Sequence, residues 1–361
     1  MKFAITRDGT NPTRDKVVDA IVNEFMRHGH CISSETNGVN FILNITDTES
    51  PRAGRRQSQS VFIISIVSGD GHPEDIRSLC YATLVRTLSN LLIYVCPSNG
   101  SPSEIYFTTP EAGFYHLPFD AEQVYQRMLP IAGAHFAIEN RFSTDLPERL
   151  WITSPVVEEI KRYGRELDAL GVLPAPFPLR EVLGEEGLRH IYKIYGITGL
   201  SYGNLSAREV VPELGSTTLW MTGRGVNKAK ISRVGKDVLL IKGFDYEQGT
   251  ALVSVPPDYD PRARVSVDAV EHELIYRTFP GVGAIVHVHA WMNDVLCTRQ
   301  NYPCGTRELA EEVVNLLAQS DDPSRSVIGL KNHGLTITGH ALDEIFNRIR
   351  GKLLTEVQMF G

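Results

Sequence analysis

The stretch AIVHVHA, Ala284 to Ala290, ends an apolar strand pattern with two histidines two residues apart. Successive side chains of a β-strand point to opposite faces, so this spacing sends His287 and His289 to the same face. Neutral imidazole is a common metal ligand, and two imidazoles on one strand face can hold one ion together. These residues alone are typical either of a metal site or of a structural pair.

A third histidine follows downstream in the segment LKNHGLTITG. His333 lies there between Asn332 and Gly334, in a turn that joins two apolar strands. It completes the ligand count of a catalytic zinc site, which has three protein ligands and one open position. Asp268 and Glu271 lie on the helix pattern that leads into the histidine strand. A carboxylate at that place can ligate a metal or act as a general base.

The size and composition indicate a globular protein of about two domains. The chain has 361 residues, and 42% of them are hydrophobic and 22% charged, while domains commonly contain ~100–200 residues. The net charge is −7, and no long basic tract is present, so the sequence does not favour a nucleic-acid partner. The basic stretch PRAGRR, residues 51–56, is interpreted as an exposed loop.

The sequence favours a cytoplasmic protein that does not cross a membrane. No apolar run reaches the ~18–20 residues of a membrane span, and Arg7 and Asp8 interrupt the apolar start where a signal peptide needs its core. The five cysteines include no Cys-x-x-Cys pair. This pattern indicates reduced thiols and argues against a disulfide scaffold.

Two domains are predicted, with a boundary in the polar, turn-rich stretch 139–155. Residues 1–145 alternate apolar strands with helical patterns and are predicted to form a separate N-terminal α/β domain, whose role the sequence does not reveal. One of its helices is predicted over Asn11 to His28. Residues 146–361 form the second domain, which ends with a helix predicted over Leu342 to Met359.

Two further elements are predicted near the start of the second domain. Gly171 to Leu179 contains three prolines and is interpreted as a connector. Leu179 to Tyr195 has the pattern of a helix.

Five segments of the second domain carry a family resemblance. They follow one another in the order SYGNLSARE, MTGRGVNKAKI, SVDAVEHELIYRTFPGVGAIVHVHA, GTRELAEEV and GLKNHGLTITG. In this order they resemble the class II aldolase/adducin family, the zinc-dependent sugar-phosphate aldolases and epimerases. The resemblance covers Gly187 to Phe360 and leaves the N-terminal domain outside. It implies an α/β/α sandwich with a mostly antiparallel sheet.

The resemblance also implies a metal centre. It assigns His287, His289 and His333 as ligands of one divalent ion per chain, usually zinc. The aldolases have a glutamate acid/base upstream of the histidine pair, and the epimerases have an aspartate there as a fourth ligand. Asp268 occupies this position, which is epimerase-like, although a shorter carboxylate can still act as a base. The alternative is that Asp268 only caps its helix.

An anion pocket is implied as well, with two departures from the family pattern. Arg224 replaces a hydroxyl residue, and its guanidinium offers a planar fork for carboxylate or phosphate. Val267 replaces a second hydroxyl residue and cannot donate a hydrogen bond. The alternative for the arginine is a solvated loop residue. The family's cradle corresponds here to Gly203, Asn204, Arg224, Gly225, Ser266 and Val267.

The proton donor is harder to place. The aldolases use a tyrosine in the loop after the histidine strand, and this loop is shorter here. Tyr302 is close in sequence and is the candidate catalytic residue, but an ungapped alignment back from Gly305 puts Asn301 at the family's tyrosine position.

The resemblance therefore implies an aldolase-type lyase acting on a small phosphorylated or carboxylated sugar-like substrate. The metal would act as a Lewis acid that stabilises an enediolate. A sugar-phosphate 4-epimerase is the alternative, and an adducin-like scaffold without catalysis is the second alternative. The expected partners are a small anionic substrate and further copies of the chain, in a homo-oligomer for which a tetramer is favoured.

Overall fold

The computed structural model describes residues 1–55, 61–69, 75–98, 101–111, 113–173, 183–189 and 202–361. The chain forms two compact units, the first mainly Met1–Ala134 and the second mainly between His135 and Gln358. The predicted connector and the helix after it lie largely outside the described residues, although 183–189 is helical. The predicted domain boundary at residue 145 stays a prediction.

The first unit is built on a seven-stranded sheet. The sheet has the order β2-β1-β3-β4-β5-β6-β7, and its neighbouring strands are parallel from β2 to β5 and antiparallel from β5 to β7. Strands β3 and β4 are buried along their whole length, as expected for parallel strands that are covered on both faces. The strands are β1 (Lys2–Arg7), β2 (Cys31–Ser33), β3 (Phe41–Ile45), β4 (Phe62–Ser68), β5 (Leu91–Ser98), β6 (Ser101–Thr108) and β7 (Phe114–Pro118).

Three helices accompany this sheet: α1 (Pro12–Arg27), α2 (Ile76–Thr87) and α3 (Ala121–Ala132). Asn11 begins α1, because its side-chain oxygen accepts hydrogen bonds from the backbone N–H groups of residues 13 and 14 at 3.1 and 3.0 Å. The helix predicted from the apolar periodicity of this stretch is confirmed.

The second unit is built on a nine-stranded sheet with the order β14-β15-β16-β13-β9-β10-β11-β12-β8. Its strands are β8 (Glu139–Ser143), β9 (Asn204–Arg208), β10 (Leu219–Thr222), β11 (Val238–Asp245), β12 (Thr250–Ser254), β13 (Ala284–Val288), β14 (Leu296–Cys297), β15 (Val327–Leu330) and β16 (Gly334–Gly339). Its labelled helices are α4 (Pro155–Ala169), α5 (Ala269–Thr278), α6 (Arg307–Leu317) and α7 (Leu342–Ile349).

Helices cover both faces of this sheet. One face packs an apolar core against α5 and α6, with Met221, Ile285 and Leu309 among its buried side chains. Helices α4 and α7 pack against the sheet and each other, and the rings of Tyr163 and Phe346 stack with their centroids 4.4 Å apart. Only the two edge pairs are parallel. The predicted mixed α/β class, with a mostly antiparallel sheet in the second half, is confirmed.

The last helix is shorter than predicted. It ends at Ile349, because Arg350 leaves the helical conformation with ψ of 129°. The guanidinium of Arg350 bonds Glu166 at 2.6 Å, and Leu354 then pairs with Trp291 in a β-bridge. The sequence prediction that this helix runs to Met359 was wrong for this reason. Within the described ranges, no helix is both long and apolar enough to cross a membrane.

Candidate metal centre and substrate pocket

The three predicted histidines come from neighbouring strands at the centre of the second sheet. His287 lies on β13, and His289 follows the end of that strand. His333 lies in the turn between β15 and β16, where Asn332 has a φ of 58°. The turn approaches the histidine strand closely, since a Cβ on Gly334 would lie 2.2 Å from the carbonyl oxygen of Val288. Only glycine allows this approach.

The three imidazoles converge. One ligand atom of each lies within 4.8 Å of those of the other two, and the ring centroids are 5.2 Å apart for His287–His289 and 4.8 Å apart for the two pairs with His333. The Nδ1 atom of His287 lies 3.0 Å from the carbonyl oxygen of Leu335. A carbonyl only accepts, so Nδ1 carries a proton, and this hydrogen bond fixes the orientation of the His287 ring.

The other two histidines also present nitrogens suited to a cation. Nδ1 of His289 and Nε2 of His333 are buried and have no hydrogen-bond partner among the described residues. Burial, and then the neighbouring imidazoles, keeps the pKa of both residues well below its usual value, so both rings are neutral. Unpartnered buried polar atoms are costly, and a divalent ion such as zinc would satisfy them. The donor set therefore fits the predicted metal.

Asp268 does not cap its helix. It occupies the N-cap position of α5, but its side chain makes no capping hydrogen bond. Its Oδ2 atom instead accepts from Nδ2 of Asn204 at 2.7 Å and from the hydroxyl of Ser266 at 3.4 Å. The group whose ligand atoms converge within 4.8 Å contains only the three histidines among the described residues. The assignment of Asp268 as a fourth metal ligand therefore stays a prediction.

The sheet register places Asn204, together with Asp268 and Ser266 that are hydrogen-bonded to it, beside the histidines. Asn204 on β9 is directly opposite His287 on β13, and cross-strand neighbours have Cβ atoms ~4.5–5.5 Å apart. Gly203 makes the approach possible, because a Cβ there would lie 2.4 Å from the carbonyl oxygen of His287. Asp268 and Ser266 are joined to Asn204 by hydrogen bonds. Five predicted site residues, Gly203, Asn204, Ser266, Asp268 and His287, are thus brought to one place.

Arg224 is half-buried in the loop after β10. Its backbone N–H donates to the carbonyl of Arg264 at 2.7 Å, and its Nη2 donates to the carbonyl of Ile138 at 3.3 Å. Burial lowers the pKa of Arg224, and Cys304 opposes this shift. The Nε atom is buried without a hydrogen-bond partner, and Gly225 follows with a φ of 67°. The guanidinium therefore retains unused donor capacity.

Tyr302 was the predicted proton donor. It packs against the apolar core beneath α5 and α6. Burial raises its pKa, with smaller contributions from Glu312 and Glu308 on the following helix. Within the described part of the chain, its phenol makes no hydrogen bond to the three histidines or to Asp268. Its role as proton donor stays a prediction.

The sequence analysis did not single out Lys228, although this residue lies in the segment MTGRGVNKAKI. The side chain is only 2% exposed. Burial lowers its pKa to about 7, and the charge of Asp268 opposes that shift. The charge of Lys228 in turn contributes to lowering the pKa of His289. A buried amine thus lies within electrostatic range of both residues.

Glu271 lies in the first turn of α5. It is 2% exposed, its Oε1 accepts from the hydroxyl of Thr336 at 2.6 Å, and its Oε2 has no hydrogen-bond partner. Thr336 is directly opposite His287 in the sheet. Burial, and then the charge of Asp268, raises the pKa of Glu271 to about 8. The acid is therefore largely protonated at neutral pH.

Replacement of Glu271 by glutamine should change how stability depends on pH in the metal-free protein. The folded pKa is about 8 against an ordinary 4.5, so between these values the folded chain keeps a proton that the unfolded chain has lost. Stability is then greatest below pH 4.5 and falls as pH rises towards 8. Glu271→Gln should remove this fall and stabilise the protein at pH 8 by more than about 1 kcal/mol. Urea unfolding at several pH values measures this, and an unchanged pH slope would contradict it.

Residues 187–299 match the family model described as Class II Aldolase and Adducin N-terminal domain. No curated protein sequence matches the chain. Among solved structures, an L-fuculose 1-phosphate aldolase matches with 19% identity and a TM-score of 0.37, covering 55% of this chain and 82% of its own. An aldolase II superfamily protein from Pseudomonas syringae matches with 18% identity and a TM-score of 0.34, covering 55% of this chain and 73% of its own.

Proposed function

Because residues 187–299 match the family model described as Class II Aldolase and Adducin N-terminal domain, we propose that the protein is a divalent-metal-dependent enzyme, an aldolase-type lyase. Its substrate is a small sugar-like molecule that carries a phosphate or carboxylate. The observation that carries the proposal is the convergence of three imidazoles, two of which have buried nitrogens without a hydrogen-bond partner in the described part of the chain. A structural core has no need of such an arrangement.

The chemistry follows from the residues around the three histidines. His287, His289 and His333 would hold a divalent ion such as zinc, which would supply Lewis-acid stabilisation of negative charge on substrate oxygens. Asp268, fixed by Asn204 and Ser266, removes the proton of the substrate hydroxyl. As the carbonyl forms at that carbon, the adjacent C–C bond breaks and its electron pair passes into the enediolate of the other fragment. Return of that proton from Asp268 to the enediolate carbon would complete the cleavage and restore the carboxylate.

A 4-epimerase is the second candidate, and Asp268 favours it. In the family resemblance, an aspartate at this position is the epimerase pattern and a glutamate is the aldolase pattern. The same bond cleavage would then be followed by recombination of the two fragments on the opposite face of the aldehyde. Release of an aldehyde separates the two reactions.

Metal analysis and a substrate assay test the proposal together. Protein purified with zinc available should contain about one divalent ion per chain, measured by plasma mass spectrometry. Incubation with L-fuculose 1-phosphate and with other sugar phosphates should release an aldehyde if the protein is a lyase, or an epimer if it is an epimerase. A chain that binds no divalent ion after loading would overturn the proposal and favour the adducin-like scaffold.

Arg224 is proposed to bind the acidic group of the substrate. Arg224→Ala should raise KM, at a cost on the order of 2–4 kcal/mol if the contact is desolvated. Arg224→Lys should recover only part of this loss, because an ammonium keeps the charge but lacks the planar fork. Steady-state kinetics of the two variants measure the effect. Near-normal KM in both would mean that the guanidinium serves only its bond to the carbonyl of Ile138.

The protein is also proposed to be a homo-oligomer in the cytoplasm, with a tetramer favoured, since the family resemblance implies assembly. Light scattering at micromolar concentration should give a mass of more than one chain. A strictly monomeric mass would contradict this.

A further inference from the structure

Lys228 is a buried cationic side chain that the proposed chemistry has not yet used. It lies in a short 3-10 segment, Lys228–Lys230, and is 2% exposed, whereas Lys230 in the same segment is exposed. Lysine is rarely buried unless its amine is paired or has a functional role, because removing the charge from water is unfavourable. The contrast between the two lysines shows that only one of them is directed into the protein.

The fold holds the backbone of Lys228 in place. Helix α4 packs against this segment at Gly164, where a Cβ would lie 2.3 Å from the carbonyl oxygen of Lys228. Glycine in the middle of a helix is destabilising relative to alanine. The close approach that this glycine permits fixes the lysine relative to the sheet.

The loop that carries Lys228 begins beside the proposed substrate pocket. Gly223 pairs in a β-bridge with Val265, the residue before Ser266, and the backbone N–H of Arg224 donates to the carbonyl of Arg264 at 2.7 Å. In agreement with this placement, the charge of Asp268 acts on the amine of Lys228, and the charge of Lys228 acts on His289. The amine therefore lies in range of the residue proposed to remove a proton and of one proposed metal ligand. Arg224 is four residues earlier in the same loop.

We infer that Lys228 is a further substrate-binding residue, which donates a hydrogen bond from Nζ to the substrate oxygen that gains negative charge when the C–C bond breaks. This inference rests on the proposed function. The amine carries N–H donors in either protonation state, so the contact does not depend on its titration. A donor fixed in a buried site stabilises developing charge more than one in water does. Lys228 would thus favour the enediolate, whereas Arg224 would hold the acidic group.

Binding of glycolohydroxamate to the zinc-loaded full-length protein tests the inference. This small planar anion chelates zinc through two oxygens and resembles an enediolate in charge and shape. Calorimetry should show binding at least about tenfold weaker for Lys228→Met, as expected for loss of a hydrogen bond to a charged group. Lys228→Arg should restore part of the affinity. Lys230→Met, the matched control in the same segment, should bind as the unmodified protein does, and all variants should keep about one zinc per chain.

The outcomes separate the inference from the function on which it rests. If Lys228→Met keeps its zinc and binds glycolohydroxamate within twofold of the unmodified protein, Lys228 only balances the charge of Asp268 and the inference is overturned. If Lys228→Met does not fold, Lys228→Gln and Lys228→Arg provide the comparison, and unchanged binding in both overturns it equally. If the unmodified protein takes up zinc but does not bind the probe, the proposed function fails together with the inference. That result would be visible before any variant is made.

Discussion

Replacement of His289 by alanine is expected to remove the metal and, with it, all metal-dependent turnover. Loss of partners that only orient a metal ligand typically costs 10–100-fold in affinity, so loss of a direct ligand should cost more than about a hundredfold. Nδ1 of His289 has no hydrogen-bond partner among the residues that the structure describes, so the substitution should not break such a bond. Zinc content after dialysis against a weak chelator measures the effect.

His340→Ala is the matched control for this experiment. His340 is an exposed histidine of the same unit, whose Nδ1 lies 3.0 Å from the carbonyl oxygen of Gly281. It should keep full zinc content. If His289→Ala also kept about one tightly bound ion per chain, the converging imidazoles would not be the metal site.

Asp268→Asn should lower kcat by about 10²–10⁴-fold, the usual contribution of a general base. Asparagine keeps an oxygen that can accept from Nδ2 of Asn204, now 2.7 Å from the aspartate, so the charge and basicity are removed while the hydrogen bond can persist. The zinc content decides between the two predicted roles. Loss of turnover with full zinc indicates a base, and loss of both indicates a fourth ligand.

Asp294→Asn provides the control for Asp268→Asn. Asp294 is exposed in the loop after the histidine strand and has a φ of 59°, a conformation that asparagine adopts readily. It should leave kcat unchanged. Normal kcat in Asp268→Asn would remove the base from the proposed reaction.

The histidine trio was accessible from the sequence, because its pattern is local. The i, i+2 spacing fixes a shared face on any strand. His333 was found in the turn of the LKNHGLTITG segment, and the family resemblance implies the same residue as the third ligand. The same resemblance correctly gave a mostly antiparallel sheet. These features depend on strand periodicity and on motif order, both of which can be read along the chain.

Other features depend on contacts that the sequence does not reveal. Asp268 has the position of a helix cap, and only the structure shows that its side chain accepts a hydrogen bond from Asn204 on β9. Lys228 looks like any loop lysine until α4 is seen packed over it. The helix predicted to Met359 ends early, since Arg350 bonds Glu166 on a helix far away in sequence. In each case, a tertiary contact decided against a local pattern.

The two glycine contacts on the histidine strand have a thermodynamic consequence. Gly203 lies against the carbonyl of His287 and Gly334 against that of Val288, so backbone atoms on both sides hold the segment that carries the ligands. The conformational entropy of this segment is therefore lost when the sheet folds and not when an ion arrives. An ion that enters a preorganised site binds more tightly for the same set of donors, because little ordering remains to oppose association.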